Sequence, residues 1–360
     1  MRCSFSQHYH FFDDSMATPI TPGFFDDVTR LSSLSAQGDP LEKLAGRIDW
    51  SVFVPVLQRT LQKAAKGPGG RPSYDALRMF KILILQRYYN VSDEQMQYQI
   101  TDRLSFQRFL GLRLEDRIPD QKTIWLFRDT LTKSQAIEPL FEAFRAQLDR
   151  EGLLAHAGQI VDASFVEVPK QRNTREENAT IKAGAIPDAW KEHPAKLQQK
   201  DTDARWTKKN NVTYYGYKNH VKVCRASKLI TTYDVTSASV HDSQALEGLL
   251  EEMDKHQTLH ADSAYASKEL RTLLRKRSIR PHIHAKGYRN TSLTPSQQRR
   301  NHRKSKIRAR VEHVFGFIEN SMHGSRIRSI GIERAHGIIG LMNLTYNLFR
   351  CLQVPVPIPV

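Results

Sequence analysis

The feature that most constrains the fold is a change of pattern at Gly158. Residues 41–153 carry helical signals, whereas the run Gln159–Val168 is rich in β-branched residues. Two further β-rich runs follow at 212–224 and 228–236, and after them short strands alternate with helices. This order predicts an α/β domain built on a mixed sheet with helices on both faces, preceded by an all-α N-terminal domain.

Residues that begin and end helices mark the N-terminal half. Ser73 is predicted to cap an apolar helix that ends near Asn90, and Ser92 opens a capping box for the next helix. Pro119-Asp120 begins another helix with an apolar stripe, in which Trp125 is interpreted as a core residue rather than a DNA contact.

The second half is predicted from the same kinds of signal. Thr294 with Pro295 and Gln297 is the clearest helix start, because it combines an N-cap, a first-turn proline and a capping-box partner. The predicted elements after residue 240 are a helix from about Ser243 to Lys255, a strand at 258–262, a helix at 268–276, a strand near 281–284 and a helix from 294 to about 322.

These patterns divide the chain into segments. Met16 is an alternative start to Met1. The polar interval that follows the first strand is interpreted as an insertion. The predicted segments are a flexible leader at 1–40, a helical DNA-binding or dimerisation domain at 41–153, an α/β domain at 154–350 with its insertion at about 170–211, and a tail at 351–360.

The charge of the chain indicates a polyanionic partner. Lys and Arg number 54 against 38 Asp and Glu, which gives a formal net charge of +16. The block Arg271–Arg310 contains many Lys and Arg but no acid, so it is expected to bind phosphates rather than to be only a solubilising surface. The candidate DNA-binding residues are Arg303, Lys304, Lys306, Arg308 and Arg310, with Lys218 and Arg128 outside the block.

Several classes of protein are excluded. The three cysteines lie far apart, which argues against a disulfide scaffold or a cysteine zinc site. The apolar stretch Ala335–Phe349 is too short for a membrane span and contains two asparagines. The sequence Gly67-Pro68-Gly69-Gly70 lacks the following Lys-Ser/Thr of a phosphate-binding loop, so no nucleotide cofactor is expected.

Three acids are the candidate catalytic and metal-binding residues. Asp162 lies within the first predicted strand, Asp262 ends a later strand, and Glu312 lies on the last predicted helix beside the basic block. A buried carboxylate is costly unless it is paired or binds a metal. Carboxylate oxygens select Mg²⁺ or Mn²⁺, and two such ions would stabilise both the attacking and the leaving oxygen in phosphoryl transfer.

Two other constellations have competing interpretations. His241-Asp242-Ser243 has the residue types of a nucleophilic site, but Asp242 or Ser243 capping a helix is favoured. His282 and His284 alternate like a metal-binding pair, yet no acidic or cysteine partner lies near, and a DNA-facing strand is favoured.

Four motifs in order resemble the catalytic-domain signatures of bacterial insertion-sequence transposases. The chain is most similar to the insertion-sequence-five family, within the acid-triad (DDE) transposases of ribonuclease-H-like fold. N-terminal motifs such as Phe109-Leu110-Gly111-Leu112 agree with that family's helical domain. The signatures are Val161-Asp162-Ala163-Ser164, Tyr215-Gly216-Tyr217-Lys218-Asn219-His220, His260-Ala261-Asp262-Ser263-Ala264-Tyr265, and Arg308-Ala309-Arg310-Val311-Glu312-His313-Val314-Phe315-Gly316.

The resemblance implies a role for each matching residue. Asp162, Asp262 and Glu312 match the catalytic triad, and Arg308 matches the arginine of a tyrosine-arginine-glutamate-lysine signature. Ser305 stands where that signature has tyrosine. Glu319 stands where it has lysine, and its negative charge should repel a DNA phosphate.

The resemblance also implies a reaction and partners. A water activated at the metal site would cut one strand at the end of the element, and the freed 3′ hydroxyl would attack a target phosphate. The expected partners are the terminal inverted repeats, target DNA and a second copy of the chain, in the bacterial cytoplasm and on the nucleoid. A transposase-derived DNA-binding protein, which Glu319 favours, and a metal-dependent nuclease without strand joining remain alternatives.

Overall fold

The computed structural model describes residues 26–62, 73–113, 115–288 and 291–355. Helices occupy the N-terminal half, as predicted, and a short 3₁₀ turn at Trp50–Phe53 joins two of them. The helices are α1 (Asp26–Ala36), α2 (Pro40–Arg47), α3 (Val54–Leu61), α4 (Ala76–Tyr89), α5 (Asp93–Asp102), α6 (Leu104–Leu110), α7 (Gln121–Lys133) and α8 (Ile137–Arg150).

Most helix termini follow the sequence signals. Ser92 caps α5 and Asp120 caps α7, each accepting an amide hydrogen bond three residues on. Asn90 ends α4 in the left-handed conformation, as expected for a C-terminal Asn. The prediction that Ser73 caps α4 is wrong, because the Asp75 carboxylate accepts the Arg78 amide at 2.7 Å.

The predicted flexible leader is wrong for the part that the structure describes. Residues 26–36 form α1, and residues 1–25 lie outside the described residues. None of the α1 side chains is buried, so apolar periodicity does not mark this helix. Arg108 of α6 holds it instead, donating to the Leu31 carbonyl at 3.2 Å and to the Ser35 hydroxyl at 2.8 Å.

The second half of the chain forms the sheet and its helices. The predicted helix from Ser243 is shorter than expected, because Leu250 is extended and a separate 3₁₀ turn follows at Glu252–Asp254. The elements are β1 (Gln159–Glu167), α9 (Arg175–Lys182), α10 (Asp188–Lys191), α11 (Pro194–Leu197), β2 (Arg205–Lys209), β3 (Val212–Cys224), β4 (Ile230–Ser237), α12 (Asp242–Leu249), β5 (Thr258–Ala261), α13 (Lys268–Lys276), β6 (Arg280–Ile283), α14 (Pro295–Gly316) and α15 (Ile332–Cys351).

The sheet is mixed, which confirms the coarse fold prediction. Its strands follow the order β2-β3-β1-β5-β6, with β4 also paired to β3. The pairs of β3 with β1, β2 and β4 are antiparallel, whereas β1–β5 and β5–β6 are parallel. The insertion ends earlier than predicted, because Arg205–Lys209 pairs with β3 as a strand of the sheet.

Helices cover both faces of the sheet. On one face Val161 and Leu259 pack with Leu246 of α12 and Leu274 of α13 in a separate core. On the other face Ile160 belongs to a larger core that also contains α14, α15 and the N-terminal helices. Because strand residues alternate between faces, Asp162 lies on the α14 face with Ile160.

α15 joins the N-terminal helices to the sheet. Fourteen of its 20 residues are buried, and it packs against α4, α7, α8 and β4. Asn343 exchanges two side-chain hydrogen bonds with Asn219 of β3, and Asn347 bonds both backbone groups of Ile230. Among the described residues, no helix meets the length and hydropathy needed to cross a membrane.

Candidate active site

The first two predicted acids stand at matching positions on neighbouring strands. Ile160 of β1 pairs with His260 of β5 in parallel register. Asp162 and Asp262 each lie two residues after this pair, so their side chains are on the same face of the sheet as those of Ile160 and His260. Two carboxylates separated by 100 residues in sequence therefore lie side by side at one end of the parallel strand pair.

Arg308 of α14 links the first acid to the third. Its Nη1 donates to Asp162 Oδ2 at 2.5 Å, and its Nη2 donates to Glu312 Oε1 at 3.0 Å. Helical spacing of four residues places Arg308 and Glu312 on one side of α14. The structure thus brings Asp162, Asp262 and α14 together, with Arg308 as the cation between Asp162 and Glu312.

The environments of the acids differ. Burial raises the pKa of Asp162 and the nearby Asp262 charge adds to this, while Arg308 and the Ala163 amide oppose the shift. The Asp262 Oδ1 accepts the Ala264 amide at 2.8 Å and caps a 3₁₀ turn. The Glu312 side chain is 60% exposed, so it is the acid most open to solvent.

The donor set suits a hard divalent cation. All three side chains offer carboxylate oxygens, and the buried Asp162 beside Asp262 leaves negative charge that a cation would neutralise. In this structure Arg308 compensates two of the acids, and within the described residues no three acid, His or Cys side chains form a ready-made ligand cluster. A bound cation would compete with Arg308 for the same oxygens.

Residues of the predicted basic block differ in how freely their side chains could contact a DNA phosphate. Arg303 and Lys306 are exposed on α14. Lys304 donates to the Ile283 carbonyl at 2.6 Å, and Arg310 donates to the Arg225 carbonyl at 2.6 Å, so backbone contacts partly fix both cations. Their contact with DNA stays a prediction.

The two predicted DNA contacts outside the block are already paired. The Lys218 ammonium donates to the Val240 carbonyl at 2.6 Å and to Asp242 at 2.8 Å, with its side chain only 10% exposed. Arg128 makes two bonds to Asp93, at 2.6 and 2.8 Å. These placements do not support either residue as a free surface cation, because a local carboxylate compensates each charge.

The two departures from the resembled signature both lie on the surface. Ser305 is exposed on α14, and Glu319 is exposed in a π-helical turn at Phe317–Ser321 that follows α14. A π turn holds more residues than an α turn, so Glu319 does not continue the α-helical spacing from Glu312.

The other constellations have structural roles. His241, rather than Asp242 or Ser243, caps α12, because its Nδ1 accepts the Ser243 amide at 3.3 Å while Asp242 pairs with Lys218. His282 packs edge-on against His260, with ring centroids 5.1 Å apart. Sequence reasoning missed His260, whose buried ring nitrogens have no hydrogen-bond partner among the described residues. Its place beneath α14 follows from the strand register, which no local motif reveals.

Comparison with protein-family models decides the family. A model described as a Transposase DDE domain matches residues 154–348, more than half of the chain. The chain belongs to the transposase DDE domain family. A second model, Transposase domain (DUF772), matches residues 29–130 of the transposase, which covers α1 to most of α7.

A solved structure also resembles the transposase. A cryo-EM structure of the piggyBac transposase synaptic complex with hairpin DNA is similar at 11% identity and a TM-score of 0.46, covering 88% of this chain and 75% of that chain. The two family models confirm that the chain is a DDE transposase, an enzyme of metal-dependent polynucleotidyl transfer that acts on DNA. Family membership also implies a divalent metal cofactor.

Proposed function

We propose that this transposase serves an insertion sequence of the insertion-sequence-five family and that Asp162, Asp262 and Glu312 are its catalytic carboxylates. The observation that carries the proposal is the matched placement of Asp162 and Asp262 on parallel strands, with Arg308 joining Asp162 to Glu312. The strand order, in which antiparallel strands are followed by the three parallel strands β1, β5 and β6, supports a ribonuclease-H-like catalytic domain.

The three carboxylates would together hold two divalent cations, either Mg²⁺ or Mn²⁺. Asp162, which is close enough to Asp262 to feel its charge and shares Arg308 with Glu312, would help to hold both ions, and Asp262 and Glu312 would each help to hold one. The cations would supply Lewis-acid stabilisation of the charge that develops on phosphate oxygens.

The side chains of the transposase itself position the reaction. Burial and the Ala163 amide hold the Asp162 carboxylate in one orientation, and the 3₁₀ turn that Asp262 caps holds the second carboxylate. Arg308 orients Asp162 and Glu312 through one guanidinium. Exposed Arg303 and Lys306 on the same helix would hold DNA phosphates beside these acids.

The products would be an element end with a free 3′ hydroxyl and, after joining, that end linked to target DNA. Two ends must meet for this reaction, so a homodimer is the proposed working form. No covalent link between protein and DNA is required, since positioning and electrostatics carry the chemistry.

The test is excision and strand joining on DNA that carries the gene's own flanking ends, in Mg²⁺. Asp162→Asn, Asp262→Asn and Glu312→Gln should each reduce cleavage to background. Asp234→Asn is a matched control, because Asp234 lies on β4 of the same sheet and, among the described residues, its carboxylate accepts a hydrogen bond only from the adjacent Val235 amide. Retained cleavage by one of the three acid variants would remove that residue from the site.

Glu319→Lys separates the remaining alternatives. An inactive wild type that this substitution activates would identify a decayed copy, since the exposed glutamate stands where the resembled signature has lysine. Cutting without joining would indicate a nuclease. If every variant binds the ends but none cuts them, the chain acts as a DNA-binding protein instead.

A further inference from the structure

A large cleft separates the N-terminal helices from segment 323–330, which connects the π turn to α15. Its volume is about 860 Å³, and residues of α4, α5, α7 and α15 also line it. We call it the arginine cleft, after the five arginines in its walls: Arg87, Arg128, Arg326, Arg328 and Arg334.

The acids in the arginine cleft do not balance its charge. Asp93 forms an ion pair with Arg128 through two hydrogen bonds. Asp129 lies 2.7 Å from Lys133 and 3.7 Å from Arg334. Among the described residues, the other three arginines have no carboxylate within ion-pair distance: Arg87, Arg326 and Arg328.

Arg87 is half-buried, whereas Arg326 and Arg328 are exposed. Its guanidinium donates to the neutral Asn90 Oδ1 at 3.0 Å. Burial, together with the nearby Arg128 charge, lowers the pKa of Arg87 to about 10. A guanidinium that is partly removed from water and has no carboxylate partner is less favourable than one that an anion compensates. The arginine cleft therefore has an excess of positive charge, which an anionic ligand would neutralise.

Segment 323–330 is fixed to the strand that carries Asp162. The Glu167 amide donates to the Ser325 carbonyl at 2.8 Å, and the Ile327 amide donates to the Glu167 carbonyl at 2.9 Å. Ile327 is buried, whereas Arg326 and Arg328 on either side of it are exposed. The two cations thus stand on a rigid support that continues from the end of β1.

A second cavity extends the positive surface past this segment. Its volume is about 360 Å³, and it shares Arg328, Ser329 and Ile330 with the arginine cleft. Its other walls include Lys170, Lys196 and Lys200 of the insertion. Cations spaced over two adjoining cavities suit a polymer with repeated phosphates better than a single small anion.

We propose that the arginine cleft is a second DNA-binding surface, which holds the phosphates of DNA leading to the catalytic carboxylates. Arg87, Arg326 and Arg328 pair with the phosphates. The interpretation of Trp125 as a core residue is wrong, because it is 48% exposed in the cleft wall, where it presents an aromatic face to the DNA. The inference rests on the proposed function to the extent that it takes DNA as the ligand.

The main test measures end binding over a range of salt concentrations. Removing two phosphate contacts in Arg326→Ala/Arg328→Ala should reduce the slope of log K against log salt by about 1.8 and weaken binding about tenfold or more. Arg59→Ala/Arg150→Ala removes the same charge from exposed helical positions outside the cleft and should leave the slope unchanged. Arg326→Lys/Arg328→Lys should restore most of the binding.

A second measurement locates the DNA directly. A photoreactive benzophenone side chain at position 125 should cross-link to the bound end, and the Arg326→Ala/Arg328→Ala change should reduce the cross-link. An unchanged slope in the double variant would overturn the proposal, and so would the absence of a cross-link from position 125. So would saturable ATP binding that the double variant loses while its DNA binding stays intact, because the cleft would then serve a free nucleotide.

The outcomes distinguish this inference from the proposed function. If the wild type cuts and joins DNA while the double variant binds it with the wild-type slope, only the cleft assignment fails. If the wild type does not cut, but the slope and cross-link change as expected, the cleft assignment stands and the proposed reaction fails.

Discussion

At the scale of single residues, Arg308 determines the charge balance of the candidate active site. One guanidinium contacts both Asp162 and Glu312, while its Nε is buried without a partner. The two acids would otherwise add their charges to that of Asp262. Arg308 holds oxygens that would also be ligands of a cation at the proposed site, so the arginine and a bound metal would compete for them.

This competition predicts the effect of Arg308→Gln on metal binding. Loss of a charged hydrogen-bond pair worth about 1.5 kcal/mol should tighten Mn²⁺ binding about tenfold at pH 8, as measured by calorimetry. Strand cleavage should nevertheless fall about 10- to 100-fold, because the acids lose their orientation. Arg308→Lys, which keeps the charge, should leave the Mn²⁺ affinity close to that of the wild type. Weaker Mn²⁺ binding by the glutamine variant would contradict the competition.

The acids could be chosen from the sequence, but their geometry could not. Motifs and strand patterns single out Asp162, Asp262 and Glu312, whereas the pairing of two of them with Arg308 depends on how α14 lies on the sheet. Arg326 and Arg328 carry no local signal of a site. Their proposed role follows from a cleft that places them opposite Arg87, more than 200 residues earlier in the chain.

At the scale of elements, α15 depends on close approach to its neighbours. A Cβ built on Gly340 would lie 2.3 Å from the Tyr233 hydroxyl of β4 and 2.9 Å from Ile137 Cγ2 of α8. A Cβ on Gly46 of α2 would meet nothing within 4 Å. The two glycines are therefore a matched pair, one packed between a strand and a helix and one in open space.

Substitution of these glycines should change stability in opposite directions. Gly340→Ala overpacks the contact between α15, β4 and α8, and should lower the free energy of unfolding by about 1–3 kcal/mol. Gly46→Ala should raise it by up to about 1 kcal/mol, because alanine is the better helix former. Urea unfolding of both variants measures the difference. Equal effects would show that α15 can shift away from β4 without cost.

The elements also show where pattern reading succeeds and fails. Strands β1, β3 and β5 were predicted to within about a residue, since β-branched runs between turns define them. No helix was predicted for α15. It is buried on nearly all sides, so its sequence lacks the alternation of apolar and polar faces that indicates a helix. The sequence analysis also predicted no helix at α1. The reason is the opposite one, because α1 is exposed and has no buried apolar stripe.

At the scale of the whole molecule, buried neutral histidines make stability depend on pH. Burial lowers the pKa of His220 to about 4, against the opposing charges of Asp242 and Asp234, and Lys218 lowers it further. The ring accepts or donates one hydrogen bond with Thr236 at 2.8 Å. Between about pH 6.5 and 4 the unfolded chain binds a proton that the folded chain does not, so stability falls as the pH falls.

His220→Gln should flatten this dependence. Between pH 7.5 and 5 the wild type should lose about 2 kcal/mol through this histidine, and the glutamine variant should lose correspondingly less. Urea unfolding at both pH values gives the comparison. His260, whose pKa burial also lowers to about 4, should keep part of the dependence in the variant. Identical pH profiles would show that His220 does not titrate in this range.

The position of α15 has a consequence for synthesis on the ribosome. Its apolar side chains complete a core shared by the N-terminal helices and the sheet, yet every one of those elements is translated first. The nascent chain must therefore hold unfilled apolar surface on both halves until α15 emerges, and such surface attracts chaperones. The shared core of the transposase can therefore close only after α15 has been translated.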